Sequence, residues 1–208
     1  MSQEHSELFP DVLPAEPEKV TLEGQNKFFG LWFFLGGETV LFASLFGTYL
    51  ALKNSTAGGP SSDELFGLGL VFLMTMLLLV SSLTSVYAMY HMRNGDYKKM
   101  VLWLAITGLL GIGFLGAEIY EFAHYIIEYD FNFRSSAFGS GFFALVGFHG
   151  GHVLFGICWL TTLLIRNAKR GLNLYNAPKF NTFSLYWHFI DVVWVFIFTV
   201  VYLMGKVG

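Results

Sequence analysis

The sequence predicts an all-α integral membrane protein, a five-transmembrane-helix bundle with its N-terminus inside and its C-terminus outside (N-in/C-out). Three observations carry this reading. Of 208 residues, 54% are hydrophobic, 23 are glycine and only 13% are charged, whereas a soluble domain is about 25% charged. The few charges are segregated, since only Glu38, Glu118, Glu121 and Asp191 lie inside five long apolar segments. Those segments, about 28–52, 67–92, 100–124, 138–165 and 183–205, each exceed the roughly 20 residues that cross about 30 Å of hydrocarbon. Runs this long without strict alternation argue against a β-barrel. The composition excludes a soluble enzyme and a disordered chain. A formal net charge of −3 excludes a nucleic-acid binder, which needs a basic balance. The single cysteine, Cys158, excludes an internal disulfide and any iron–sulfur or dinuclear thiolate copper centre.

The connecting segments fit this division. Residues 1–27 form a polar, acidic N-terminal tail carrying Glu4, Glu7, Asp11, Glu16, Glu18 and Glu23, without the basic region of a signal peptide. Residues 28–208 form a single five-helix domain. Asn54 to Ser62 is a Gly/Ser/Pro connector, and Asp63-Glu64 reads as the first turn of the second helix. Arg93-Asn94-Gly95-Asp96 reads as a tight turn. Residues 166–182 read as a basic loop ending near Pro178. With the N-terminus inside, nine Lys and Arg fall on the inner side: Lys19, Lys27, Arg93, Lys98, Lys99, Arg166, Lys169, Arg170 and Lys179. Only Lys53, Arg134 and Lys206 fall outside, which sets the orientation by the positive-inside rule. Tyr97, Trp103, Tyr125, Tyr129 and Tyr202 stand near span ends, where aromatic rings favour the membrane interface.

Function is sought among polar groups inside the spans, because a charge at mid-bilayer costs at least about 2.5–3.5 kcal/mol. Glu38 lies near the midplane of the first span among Gly36, Gly37, Thr39 and Ser44, small or polar neighbours that let another helix approach. It reads either as a structural hydrogen bond between helices or as a proton-handling carboxyl. Glu118 and Glu121 share a face three residues apart. Glu121 to His124 has E-x-x-H spacing, and His149 and His152 could add imidazoles. A di-iron bundle needs two such helices and two further carboxylates, so no metal is expected. Gly147 and Gly151 have G-x-x-x-G spacing around His149. His149 and His152 differ by about 60° in helical angle and can face one neighbour. In the fifth span, Asp191 has His188 and Trp187 three and four residues back. Either can hydrogen-bond to it. Glu118, Glu121, His149, His152, Trp187, His188 and Asp191 are thus the candidates for a buried polar network or a lipid contact.

At these residues the chain resembles a known family. FFLGGETVLFASLF, FLGAEIYEF, FGSGFFALVGFHGGHVLFG and SLYWHFIDVVWVFIFTVVYLMG look like subunit III of haem–copper terminal oxidases. TLEGQNKFFG and IRNAKRGLNLYNAPKF look most like the cytochrome c oxidase (caa3-type) form of Gram-positive bacteria. The resemblance implies a non-redox subunit of a proton-pumping complex in the bacterial cell membrane that reduces O₂ to water. It implies no cofactor in this chain, haem and copper in partner subunits I and II, a small subunit IV, and bound phospholipid. Cytochrome c, or quinol in the closely similar quinol oxidases, would act on the complex and not on this chain. Glu38 matches the family carboxylate known for carbodiimide reactivity, which requires a protonated carboxyl in an apolar place. The chain departs from the seven-span form in lacking two N-terminal spans, so part of the lipid cleft would come from another chain. A transporter would want polar groups at one depth or a repeat, and a di-iron membrane enzyme would want convergent ligands; the sequence offers neither.

Overall fold

The structure is a computed structural model that describes residues 19, 21–60, 62–168 and 171–207. Most of the predicted acidic tail, together with Lys169 and Arg170, lies outside the described residues. Five long helices follow in order: α1 Leu22–Leu52, α2 Leu68–Arg93, α3 Tyr97–Tyr129, α4 Ala137–Asn167 and α5 Ala177–Ile197. The last continues through a π-helical stretch, Phe198–Leu203, into a final turn, Met204–Val207. All five are long and apolar enough to cross a membrane. No strand occurs among the described residues.

The helices overshoot the predicted spans where caps or turns allow it. α1 starts at Leu22, inside the stretch read as tail, because Thr21 accepts a hydrogen bond from the Gly24 amide at 3.0 Å. α5 starts at Ala177, six residues before residue 183, with Pro178 in its first turn. A proline there loses no helical hydrogen bond, so what reads as the end of a loop is a helix start. Asp63 and Glu64 do not open α2. They belong to a separate turn, Ser62–Leu65, and α2 begins only at Leu68. The Ser62 hydroxyl donates to the Gly205 carbonyl at 2.8 Å, tying that turn to the end of α5. The α2–α3 connection is the predicted tight turn, with Gly95 at φ +75°, a left-handed conformation glycine adopts without strain.

α2 and α3 form an extensively packed hairpin, and α5 packs against α1, α2 and α4. α1 packs on α4 and α5 and leaves Phe29, Trp32, Phe33 and Val40 exposed, an outward apolar surface suited to hydrocarbon. Because lipid supplies no hydrophobic drive between helices, close approach and internal hydrogen bonds must hold the bundle. Trp187 shows how. A Cβ on Gly111 of α3 would lie 2.8 Å from its ring, and one on Gly156 of α4 would lie 2.9 Å away. The two glycines leave a slot for the indole. Gly151 of the predicted G-x-x-x-G pair meets nothing within 4 Å and Gly147 only one ring edge at 3.8 Å, so Gly150 and Gly156 make the close approaches instead. At the opposite end, Phe66 packs among Tyr125, Phe138, Phe142 and Tyr202 and plugs the bundle.

Candidate functional site

The polar residues of the spans fall into separate regions. The first joins α1 to α4. His152 Nε2 lies 2.8 Å from Glu38 Oε2, and both side chains are largely buried, at 14% and 16% exposure. His152 Nδ1 lies 2.7 Å from the Phe148 carbonyl. A carbonyl only accepts, so the Nδ1 proton is committed there. The short contact to Glu38 then holds one proton between Nε2 and the carboxyl, as neutral acid and imidazole or as carboxylate and imidazolium. The sequence offered Glu38 no basic residue on its own span; the partner comes from 114 residues away. Tyr186 of α5 donates to the His152 carbonyl at 3.1 Å, and Phe42 packs against the imidazole.

The second region is the interior of α3, α4 and α5. Glu121 accepts from the hydroxyls of Tyr125 at 2.9 Å and Tyr202 at 2.8 Å. Both tyrosines are buried, a correction to their reading as interfacial rings. The π-helical stretch of α5 carries Tyr202, and such wide turns often re-aim side chains at functional positions. Glu118 lies against α4 at Gly150, where any Cβ would overlap its carboxyl, and its Oε2 has no partner. His149 donates from Nε2 to the Ile190 carbonyl at 3.3 Å, leaving Nδ1 unpartnered. It packs against Phe114 and Trp194. His149 and His152 therefore face different neighbours, not one: a 60° divergence suffices to send one ring to α5 and the other to α1.

The third region lies between α2 and α5. Trp187 donates from Nε1 to Ser81 Oγ at 3.0 Å, and His188 Nδ1 lies 2.6 Å from Ser82 Oγ. Neither bonds to Asp191, against the expectation from spacing, because α2 presents hydroxyls to both rings. Asp191 is 6% exposed, and the Ser82 hydroxyl is the one side-chain donor at its carboxyl. Thr75, which accepts from Trp194 Nε1 at 3.0 Å, completes the set. These α2 hydroxyls escaped the sequence reading, although Thr75, Ser81, Ser82, Thr84 and Ser85 in a leucine-rich span were the available signal.

The E-x-x-H motif does not act as a unit. Glu121 binds tyrosines, while His124 Nδ1 lies 3.3 Å from Glu128. Among the described residues no three His, Cys, Asp or Glu converge as metal ligands. A cleft of about 500 Å³ opens instead between α1, α4 and α5, with Lys27, Arg166 and Lys179 beside apolar Phe34, Phe155 and Trp159. The sequence reading used those cations only for orientation.

Comparison with known proteins fits this all-helical bundle. The family model for cytochrome c oxidase subunit III matches residues 19–206. Cytochrome c oxidase subunit 3 of Bacillus subtilis (strain 168) is 71% identical over 198 residues, 95% of this chain and 96% of that one. Cytochrome c oxidase subunit 3 of Bacillus sp. (strain PS3) is 69% identical over 97% of each chain. Quinol oxidase subunit 3 of Bacillus subtilis (strain 168) is more distant, at 52% identity over 99% of each. With matches running from the start of α1 to the end of α5, the chain belongs to the cytochrome c oxidase subunit III family.

Proposed function

We propose that this chain is the third subunit of a proton-pumping cytochrome c oxidase, a multi-pass subunit of the bacterial plasma membrane that holds no redox centre of its own. The full-length similarity to cytochrome c oxidase subunits, nearer than to quinol oxidase subunits, carries this reading. In it, haem and copper reside in subunits I and II, a small subunit IV completes the complex, and the exposed apolar faces of α1 to α4 meet lipid and subunit I. The positive-inside bias supports an N-terminus on the cytoplasmic side, with an acidic tail that gives way at Thr21 to one five-helix domain.

Two features give the subunit its work. The cleft beside Lys27, Arg166 and Lys179 suits an anionic phospholipid, with cations at the headgroup and aromatic walls for acyl chains. The Glu38–His152 pair supports proton handling: one proton held between two bases at 2.8 Å moves between them without separating charge far. Glu121, His149 and Trp187 then serve as the interior hydrogen-bonded frame, with Glu118 packed beside them against Gly150.

Purification of the membrane complex through this chain tests the reading. A co-purifying partner with a multi-cysteine copper motif, and haem and copper that leave with the partners when the chain is stripped, are expected. A quinol-type partner lacking that motif would replace cytochrome c as donor, and stoichiometric metal retained by this chain would overturn the non-redox role. Cysteine labelling should place residues 93–99 and 166–182 on the cytoplasmic side; reversed labelling would invert the topology.

A further inference from the structure

We propose that Asp191 is a proton-exchanging site, reached by water from the Arg93 end of the bundle through His188 and Ser82. A carboxyl kept for structure alone is given fixed donors, as Glu121 is by two tyrosines. Asp191 is nearly as buried yet has no such fixed pair, the Ser82 hydroxyl alone reaching its carboxyl, and a buried polar group so thinly satisfied calls for a reason. The group beside it is the Ser82 hydroxyl, which is engaged at 2.6 Å by His188 Nδ1.

His188 in turn faces open space. Its ring lines a cleft of about 440 Å³ between α1, α2 and α5, together with Arg93, Asn181, Ser184, Phe28 and Trp32. His188 Nε2 lies 3.5 Å from Ser184 Oγ, on the cleft wall. The lining runs from Arg93 back to Val86 on α2 and from Asn181 to His188 on α5, so the cleft reaches about 10 Å inward along the helices at 1.5 Å per residue. One imidazole nitrogen therefore meets the cleft and the other meets the hydroxyl that reaches the buried carboxyl.

The transfer balances. A hydrated proton in the cleft binds Nε2. The Nδ1 proton passes to Ser82 Oγ as the Ser82 hydroxyl, free to rotate, gives its own proton to an Asp191 oxygen. Ser82 is restored, the imidazole is neutral with its proton on Nε2, and cleft water resets the tautomer. The other titratable or charged groups around this row are Arg93 and Tyr90 on α2, both lining the cleft, and His149 on α4, whose Nε2 is fixed on the carbonyl next to Asp191. On α1 the cleft presents only Phe28 and Trp32. The row belongs to this chain's own helices and does not depend on which electron donor the complex uses.

Infrared spectroscopy of the intact purified complex tests it. The Asp191 carboxyl band, identified by its loss in Asp191→Asn, is followed after transfer to D₂O. His188→Ala and Ser82→Ala should each slow its exchange, by roughly a hundredfold for removal of a positioned proton carrier. Imidazole added to the buffer should restore exchange in His188→Ala but not in Ser82→Ala, a rescue that a merely structural histidine would not show. If His188→Ala fails to assemble, the smaller Ser82→Ala change decides. Equal exchange rates in the wild type and Ser82→Ala, or no deuterium uptake by wild-type Asp191, would overturn the proposal.

Discussion

Glu121 and Glu38 are both carboxyls in membrane-crossing helices, and the bundle treats them differently. Glu121 is 2% exposed and held by two tyrosine hydroxyls, one a turn away on α3 and one from the far end of α5. Glu38 sits at the bundle margin on α1, the helix with the least buried apolar window, and meets one histidine. Fixed neutral donors fill the acceptor sites of Glu121 and make it a joint between helices. The single histidine partner of Glu38 is the geometry on which its proposed proton-handling role rests. The difference separates a carboxyl tied by two hydroxyls in the interior from one tied to a single imidazole at the margin.

Breaking the interior should cost far more than breaking the margin. The largest effect is expected from Trp187→Ala, which empties the slot at Gly111 and Gly156 and leaves Ser81 Oγ with only its bond to the Leu78 carbonyl. A loss of about 3–5 kcal/mol should show as failed assembly or a sharply lowered melting temperature of the complex. Glu121→Leu comes next. It strands two buried hydroxyls at about 1–3 kcal/mol each, whereas Glu121→Gln keeps an acceptor and should recover most of the stability; equal loss in both would remove the case for Glu121 as a joint.

At the margin, Glu38→Ala should leave assembly and haem spectra intact and reduce turnover modestly. His152→Ala should match it, and the double variant should be no worse than either single one, the signature of one coupled unit. Loss of haem in Glu38→Ala, or additive losses in turnover, would dissolve the pair as a functional unit. The smallest effect belongs to the surface turn between α2 and α3. There the hydrogen bond and charge of Lys99, with His91 beyond, hold the Asp96 carboxyl below the usual carboxylate range. A depressed folded value contributes stability that is present above the unfolded value, near pH 4, and is lost as pH falls through the folded one. Asp96→Asn should therefore lower melting very slightly at neutral pH, leave it unchanged in acid and so flatten its acid dependence.

The architecture was legible in the sequence because the bilayer imposes it. A chain in hydrocarbon must satisfy every backbone group within its own helices, so length, apolarity and the confinement of charge already spell out five spans, and the embedded motifs carry the family. The acids that matter were legible for the same reason, since each stands out against an apolar run. Their partners were not. Glu38 with His152, Glu121 with Tyr202, Trp187 with Ser81 and His188 with Ser82 are contacts between helices far apart in sequence. Side-chain hydrogen bonds of this kind depend on the rotation and depth of one helix against another. Periodicity along a single span fixes neither, which is why i to i−3 spacing suggested an Asp191–His188 bond that α2 took away. The sequence by itself determined the medium, the number of spans and the kinship; the tertiary structure decided which polar groups meet, because only packing brings two helices to the same depth and face.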